Sequence, residues 1–178
     1  LFRSDCGDSG NTSASPINNA TSNANNATVS NLLDIEGNSS SYGFQVTTTL
    51  STFTPQKVFS DRMTGEYRGL PKSFNKDCFY VSSTGGAIRF IGLNNSRSYS
   101  VRLIIGQDLG DTMNQNYEIR MTIGATTVTK YALFNTVPSP NIQIDNITPS
   151  SGQISATVLV PTSGVYAGVV GVLLIENL

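Results

Sequence analysis

Hydrophobic and polar positions alternate most clearly along residues 92–133. In residues 99–105 every second position is aromatic or aliphatic, and Ser100 and Arg102 stand between them. Residues 117–123 repeat this alternation. Because successive side chains of a strand point to opposite faces, a period of two predicts two strands that are each buried on one face.

Short strand patterns, separated by turn residues, continue on both sides of these two segments. Gly124-Ala125 predicts a tight turn into a third strand over residues 126–133. Residues 78–82 and 87–91 are expected to form a hairpin across the Gly-rich turn between them. Further strand patterns cover residues 1–7, 32–35, 43–50, 154–160 and 166–175. With no amphipathic helical period, the chain is predicted to be all-β, an antiparallel two-sheet β-sandwich (jelly roll) of roughly 8–10 strands.

Two segments lack a strand pattern and are predicted to be loops of a single domain spanning residues 1–178. Residues 8–31 are a low-complexity run of Asn, Ser, Thr and Ala, which cannot supply a core. Residues 54–77 are rich in charged side chains with aromatic residues between them. Long loops of this kind are frequently functional when they are ordered.

Composition narrows the classes of function. Charged residues make up 13% of the chain and the net charge is −1, so no basic field exists to hold a nucleic acid. The chain has no histidine, which removes the usual general base and the commonest zinc ligand, and we expect no enzyme activity. The apolar run at residues 165–175 is shorter than the roughly 20 residues of a membrane-spanning helix, so membrane insertion is not expected.

The two cysteines, Cys6 and Cys78, are too few for a disulfide-stapled scaffold or for a zinc site made of cysteines alone. Each follows an aspartate, and their strands are candidates for neighbours in a sandwich. Two alternatives remain open, one disulfide between them or two buried thiols.

Several short motifs together resemble a group of jelly-roll modules with a galactose-binding-like fold, of the carbohydrate-binding-module type, found on secreted bacterial carbohydrate-active enzymes and surface proteins. The motifs are spread over nearly the whole chain, and their order matches that group. They are Asp5-Cys6-Gly7, Asn31-Leu32-Leu33-Asp34 before Gly37, Gly69-Leu70-Pro71, Asp77-Cys78-Phe79, Gly92-Leu93-Asn94 before Tyr99, and Tyr166 before the ending Leu174-Ile175-Glu176.

The resemblance implies a non-catalytic carbohydrate-binding or adhesive module that is extracellular or displayed on a cell surface, with a polysaccharide or glycan as its partner. The chain departs from the group in having no Trp, so Tyr42, Tyr67 or Tyr80 would have to provide a surface for sugar stacking. The segment richest in donors, acceptors and aromatic groups makes the predicted ligand site Asp61, Arg62, Glu66, Tyr67 and Arg68.

Modules of this group often hold a structural calcium ion, which takes six to eight oxygen ligands. If the first and last strands are neighbours, Asp5, Asp8 and Glu176 are the candidate ligands. Asp108 and Asp111 are a second option.

A structural role is the alternative to glycan binding. The low charge and the apolar closing strand also suit a jelly-roll domain of a phage virion or surface appendage, which acts by packing against neighbouring domains or subunits of a larger assembly.

Overall fold

A computed structural model of the chain describes residues 1–6, 9–10, 12–48, 51–53, 78–105, 116–133, 141–162 and 167–177. These residues form strands and turns, and none of them lies in a helix that is long and apolar enough to cross a membrane. The strands are β1 (Phe2–Cys6), β2 (Asn18–Ala20), β3 (Thr28–Val29), β4 (Gly43–Thr48), β5 (Ser51–Phe53), β6 (Cys78–Val81), β7 (Gly86–Ile91), β8 (Ser98–Ile105), β9 (Asn116–Ile123), β10 (Thr126–Leu133), β11 (Asn141–Ile147), β12 (Ile154–Leu159) and β13 (Ala167–Asn177).

The strands from β6 to β13 have the connectivity of a jelly roll. One sheet contains β6, β13, β8 and β11 in that spatial order, and the other contains β7, β12, β9 and β10. The β9–β10 hairpin joins two strands of the same sheet, and each other connection in this series crosses between the sheets. Neighbouring strands within the series are antiparallel. The predicted all-β, two-sheet sandwich is confirmed.

The remaining strands extend this framework to a seven-stranded and a six-stranded sheet. β1 and β6 lie end to end along one edge of β13, because β8 occupies its other edge. β2 pairs in parallel with β1, β5 pairs with β6, and β4 and β3 continue the six-stranded sheet beyond β7. Residues 8–31, predicted as a loop, therefore contribute the two short edge strands β2 and β3.

β6 and β7 do not form the predicted hairpin. β6 has β13 on one edge and β5 on the other, so no edge is left for β7, which pairs with β4 and β12 in the opposite sheet. The Gly85 amide donates to the Ser82 carbonyl at 3.0 Å, and the Val160 amide donates to the same carbonyl at 3.1 Å. The same turn chemistry that closes hairpins here carries the chain from one sheet to the other.

The core lies between the two sheets and is made by the alternating inward side chains. In β8 these include Tyr99 and Leu103, as the sequence pattern predicted. Phe44 of β4 and Phe90 of β7 pack with ring centroids 5.6 Å apart. A second cluster on the outer face of the seven-stranded sheet contains Ile17, Cys78, Tyr80, Ile104 and Val170, with Leu173 against it. Burying a large apolar side chain contributes about 1.5–3 kcal/mol, so these faces set the register of the strands.

Candidate functional site

A shallow cleft of about 610 Å³ lies at one end of the sandwich, where β8 begins and β13 ends. The antiparallel register pairs Ser98 with Asn177, which brings the two strand ends side by side. The 94–97 turn and the residue that follows β11 complete its walls. The rim cleft, as we call it, is lined by Asn95, Ser96, Arg97, Ser98, Thr148 and Asn177.

The turn that carries half of this lining is fixed by hydrogen bonds from backbone amides. Leu93 donates its amide to the Gly152 carbonyl at 2.9 Å, and the Gly152 amide donates to Asn95 Oδ1 at 2.7 Å. Asn94 Oδ1 accepts the Ser96 amide at 2.9 Å. The cleft wall is therefore held in place before any ligand arrives, which lowers the entropic cost of binding.

Glu176 connects the cleft to the core. Arg97 Nη1 lies 2.9 Å from Glu176 Oε1, and the Tyr42 hydroxyl donates to the same oxygen at 3.4 Å. The hydroxyls of Tyr42 and Tyr99 are 3.1 Å apart, and the Asn94 amide donates to the Tyr99 hydroxyl at 3.1 Å. Burial, and then the hydrogen bond with Tyr99, raise the pKa of Tyr42 well above its usual range, so Tyr42 is a neutral donor at ordinary pH.

The rim cleft presents hydroxyl and amide groups, each of which both donates and accepts hydrogen bonds. Among the described residues that line it, Arg97 is the charged one, and Glu176 balances that charge. Such a surface can hold neutral, polyhydroxylated molecules and offers nothing that would favour an anion or a cation. None of the six lining residues that the structure describes is a nucleophile held against a base.

A second, smaller cavity of about 260 Å³ lies between β2 of one sheet and β3 and β4 of the other. Its floor is made by apolar side chains such as Phe44 and Val46, which belong to the core. Its rim is made by Asn19, Thr21, Ser22 and Thr28. Asn19 is already engaged, since its Oδ1 accepts the Ser13 amide at 2.7 Å and its Nδ2 donates to the Ser13 carbonyl at 2.9 Å.

The predicted ligand site lies outside the described residues. This applies to Asp61, Arg62, Glu66, Tyr67 and Arg68, and equally to Asp8, Asp108 and Asp111. That site stays a prediction.

Two of the three tyrosines proposed for sugar stacking lie in described regions, and neither presents an open ring. Tyr80 is 6% exposed and belongs to the outer cluster. Tyr42 is half-buried, and its ring packs edge-on against Phe2 at 5.1 Å and Tyr99 at 6.1 Å. Tyr67 lies outside the described residues.

The predicted calcium ligands Asp5 and Glu176 do not come together. β1 and β13 are neighbours, which was the condition for this site, but Asp5 pairs with Gly171, and Glu176 pairs with Tyr99 further along β13. The separation from Gly171 to Glu176 corresponds to about 17 Å of strand. Asp5 is instead buried and accepts a hydrogen bond from Ser13 Oγ at 2.6 Å. Within the described ranges, no group of three or more His, Cys, Asp or Glu side chains is placed to hold a metal ion.

Cys6 and Cys78 sit at strand ends that meet along one edge of β13. Both are buried, but Cys6 belongs to the core between the sheets and Cys78 to the cluster on the outer face. Their side chains therefore point to opposite faces of the same sheet, an orientation in which a disulfide requires backbone movement. The choice between a disulfide and two thiols stays a prediction.

The rim cleft was not predicted from the sequence. The Asn-Asn-Ser-Arg run at residues 94–97 was visible as a polar turn before a strand. Its meeting with Asn177 depends on the register of β8 against β13, and no local pattern contains that register. Comparison of the sequence with models of known protein families and with curated proteins finds no match.

Proposed function

We propose that this chain is a non-catalytic module that binds a neutral glycan through the rim cleft. The observation that carries the proposal is the lining, in which five hydroxyl or amide side chains and a charge-balanced arginine converge on one preorganised cleft. A sugar hydroxyl both donates and accepts hydrogen bonds, and the hydroxyl and amide side chains of the cleft can do the same in return.

The balance of charge favours neutral over acidic sugars. Arg97 would attract a carboxylate or sulfate if it were alone, but Glu176 lies 2.9 Å from it and offers a carboxylate at the same place. An acidic sugar would approach both groups, and the repulsion from Glu176 would offset the attraction to Arg97. A neutral diol can accept from Arg97 and donate to Glu176 without that conflict.

The resemblance to galactose-binding-like jelly-roll modules points in the same direction, and it supports an extracellular or cell-surface setting. The absence of histidine from the whole chain supports a binding role over a catalytic one. A structural calcium ion remains part of the proposal.

The alternative is a structural domain of a virion or appendage that packs against other subunits. Stable protein interfaces have an apolar centre. Among the side chains that the structure describes, Ile35 is the large hydrophobic one that is exposed, at 45%. The described surface therefore gives more support to a polar ligand than to an apolar partner.

A glycan array tests the proposal, with the purified chain applied in calcium and again in chelator. Arg97→Ala removes the charged group of the cleft, and Arg120→Ala is its matched control. Arg120 is also an arginine paired with a glutamate, Glu118, but it lies on β9 of the other sheet. We expect selective binding to neutral glycans that is weakened in Arg97→Ala and unchanged in Arg120→Ala.

Three results would count against this proposal. Binding that survives Arg97→Ala but is lost in Tyr67→Ala would move the site to residues 54–77. A preference for acidic glycans would contradict the argument from charge. No binding by a folded sample across the array, together with self-association in solution, would favour the structural role.

A further inference from the structure

A row of polar side chains runs from the rim cleft onto the outer face of the seven-stranded sheet. Asn177 Nδ2 donates to Ser98 Oγ at 3.3 Å, and Ser100 Oγ donates to Asn177 Oδ1 at 3.2 Å. The Asp145 carboxylate is a second acceptor for the single proton of the Ser100 hydroxyl, and this interaction lowers the pKa of Asp145. Ser100 itself is buried, so it links its neighbours and does not face a ligand. We call this series, completed by Gln143 and Arg102, the polar track.

The last two members extend the polar track across β11 and back to β8. Gln143 Nε2 donates to Asp145 Oδ1 at 2.5 Å, and Arg102 Nε donates to Gln143 Oε1 at 2.5 Å. Gln143 is paired with Arg102 in the strand register. From Ser98 to Arg102 the track covers about 13 Å of β8. The cleft and the track together are longer than a single sugar ring.

An apolar row lies beside the polar track. The register places Leu173 next to Arg102 and Ile175 next to Ser100 on β13. Both side chains are half-buried, and alternation along β13 directs them to the outer face, because Leu174 between them is in the core. A sugar chain has hydroxyl edges and apolar C–H faces, so a polar row beside an apolar row matches it along its length.

The charges on the polar track also balance. Asp145 carries the negative charge, and Arg102 on the neighbouring strand carries the positive one. The positive charge of Arg102 contributes to the lowered pKa of Asp145. The track therefore continues the neutral character of the cleft and offers no net charge to an ionic partner.

We infer that the rim cleft and the polar track together bind several consecutive units of a linear neutral polysaccharide, with one unit in the cleft and the following units along β8 and β11. This inference rests on the proposed function and adds to it the class of ligand, a chain rather than a terminal sugar.

Calorimetric titration tests the inference with neutral linear oligosaccharides built from glucose, galactose, mannose or xylose, each from the monosaccharide upward. Affinity is expected to rise with chain length by about tenfold or more and then to level off once the track is filled. In Gln143→Ala this gain is expected to fall severalfold, while the affinity for the monosaccharide is kept. Asp145→Asn is a second variant with the same expected result. It preserves the shape of the side chain, so it guards against reading a misfolded protein as a loss of binding.

Gln153→Ala is the matched control. Gln153 Oε1 also accepts a hydrogen bond from an arginine, Arg89, at 3.1 Å, but Arg89 lies on β7 of the opposite sheet. This variant should keep the full gain with length. Equal affinity for the monosaccharide and the longer oligomers would overturn the inference and leave the proposed function standing. A gain that persists in both Gln143→Ala and Asp145→Asn would also overturn it. Failure of every series to bind, or binding unaffected by Arg97→Ala, would overturn the proposed function itself.

Discussion

The hydroxyl of Tyr42 lies 3.1 Å from the hydroxyl of Tyr99, and the two rings pack edge-on at 6.1 Å. Tyr42 donates to Glu176, so Tyr99 donates to Tyr42 and in turn accepts the amide of Asn94. Each hydroxyl and amide donor in this series therefore has an acceptor. The pair ties the segment before β4 to the start of β8 and to the end of β13, and it holds the carboxylate that balances Arg97.

Removal of either hydroxyl should destabilise the fold, and by different amounts. Tyr42→Phe loses the hydrogen bond from Tyr99 and the long one to Glu176 at a half-buried position, for which we expect about 1 kcal/mol. Tyr99→Phe removes a hydroxyl at a fully buried position, where it donates to Tyr42 and accepts the Asn94 amide, and for this loss we expect about 1–3 kcal/mol. Urea unfolding measures both values. A smaller loss for Tyr99→Phe than for Tyr42→Phe would contradict this order.

Stability should fall at alkaline pH because of Tyr42. Its pKa in the folded chain is raised, chiefly by burial and then by Tyr99, above the value of about 10 that applies in the unfolded chain. The folded state therefore holds the proton more tightly, and the contribution is fully present below pH of about 10 and is lost as the pH rises further. Tyr42→Phe should show a shallower alkaline loss in urea unfolding. Parallel curves for the two proteins would contradict the assignment.

Gly92 is expected to tolerate no side chain. Its φ is +76°, and a Cβ would lie 2.3 Å from the Ser41 carbonyl oxygen, so Gly92→Ala adds a steric clash to backbone strain. Gly124, in the β9–β10 turn, has a φ of +58° and open space around it. We expect Gly124→Ala to cost about 1 kcal/mol and Gly92→Ala clearly more. Thermal unfolding of the pair checks this, and equal losses would refute the clash.

The strands that were predicted correctly are those whose own residues decide their burial. β8 and β9 alternate over most of their eight residues, so the period of two is visible without knowledge of their partners. The start of β10 is marked by the Gly124-Ala125 turn before it. β2 and β3 have three and two residues, and they are strands because β1 and β4 pair with them. No sequence period can be seen over so few positions.

The rim cleft is a different case, because its parts are far apart in the sequence. Asn177 and Ser98 are 79 positions apart and meet through the register of β13 against β8. Turn residues at 94–97 predict a loop, but which strand end lies beside that loop depends on topology. The same reason applies to Asp5 and Glu176, two of the three predicted calcium ligands, since their strands are neighbours but the register places the two residues far apart along β13.

The most direct test of glycan binding at the rim cleft is a map of backbone amide chemical shifts in the labelled chain, recorded as a neutral oligosaccharide that binds on the array is added. We predict that the shifts concentrate at residues 95–98, at Thr148 and at Asn177, that they extend along β8 and β11 with longer oligosaccharides, and that β9 and β10 stay unchanged. Shifts that leave the cleft residues unmoved and gather at residues 61–68, or on the face of β9 and β10, would contradict the assignment of the site.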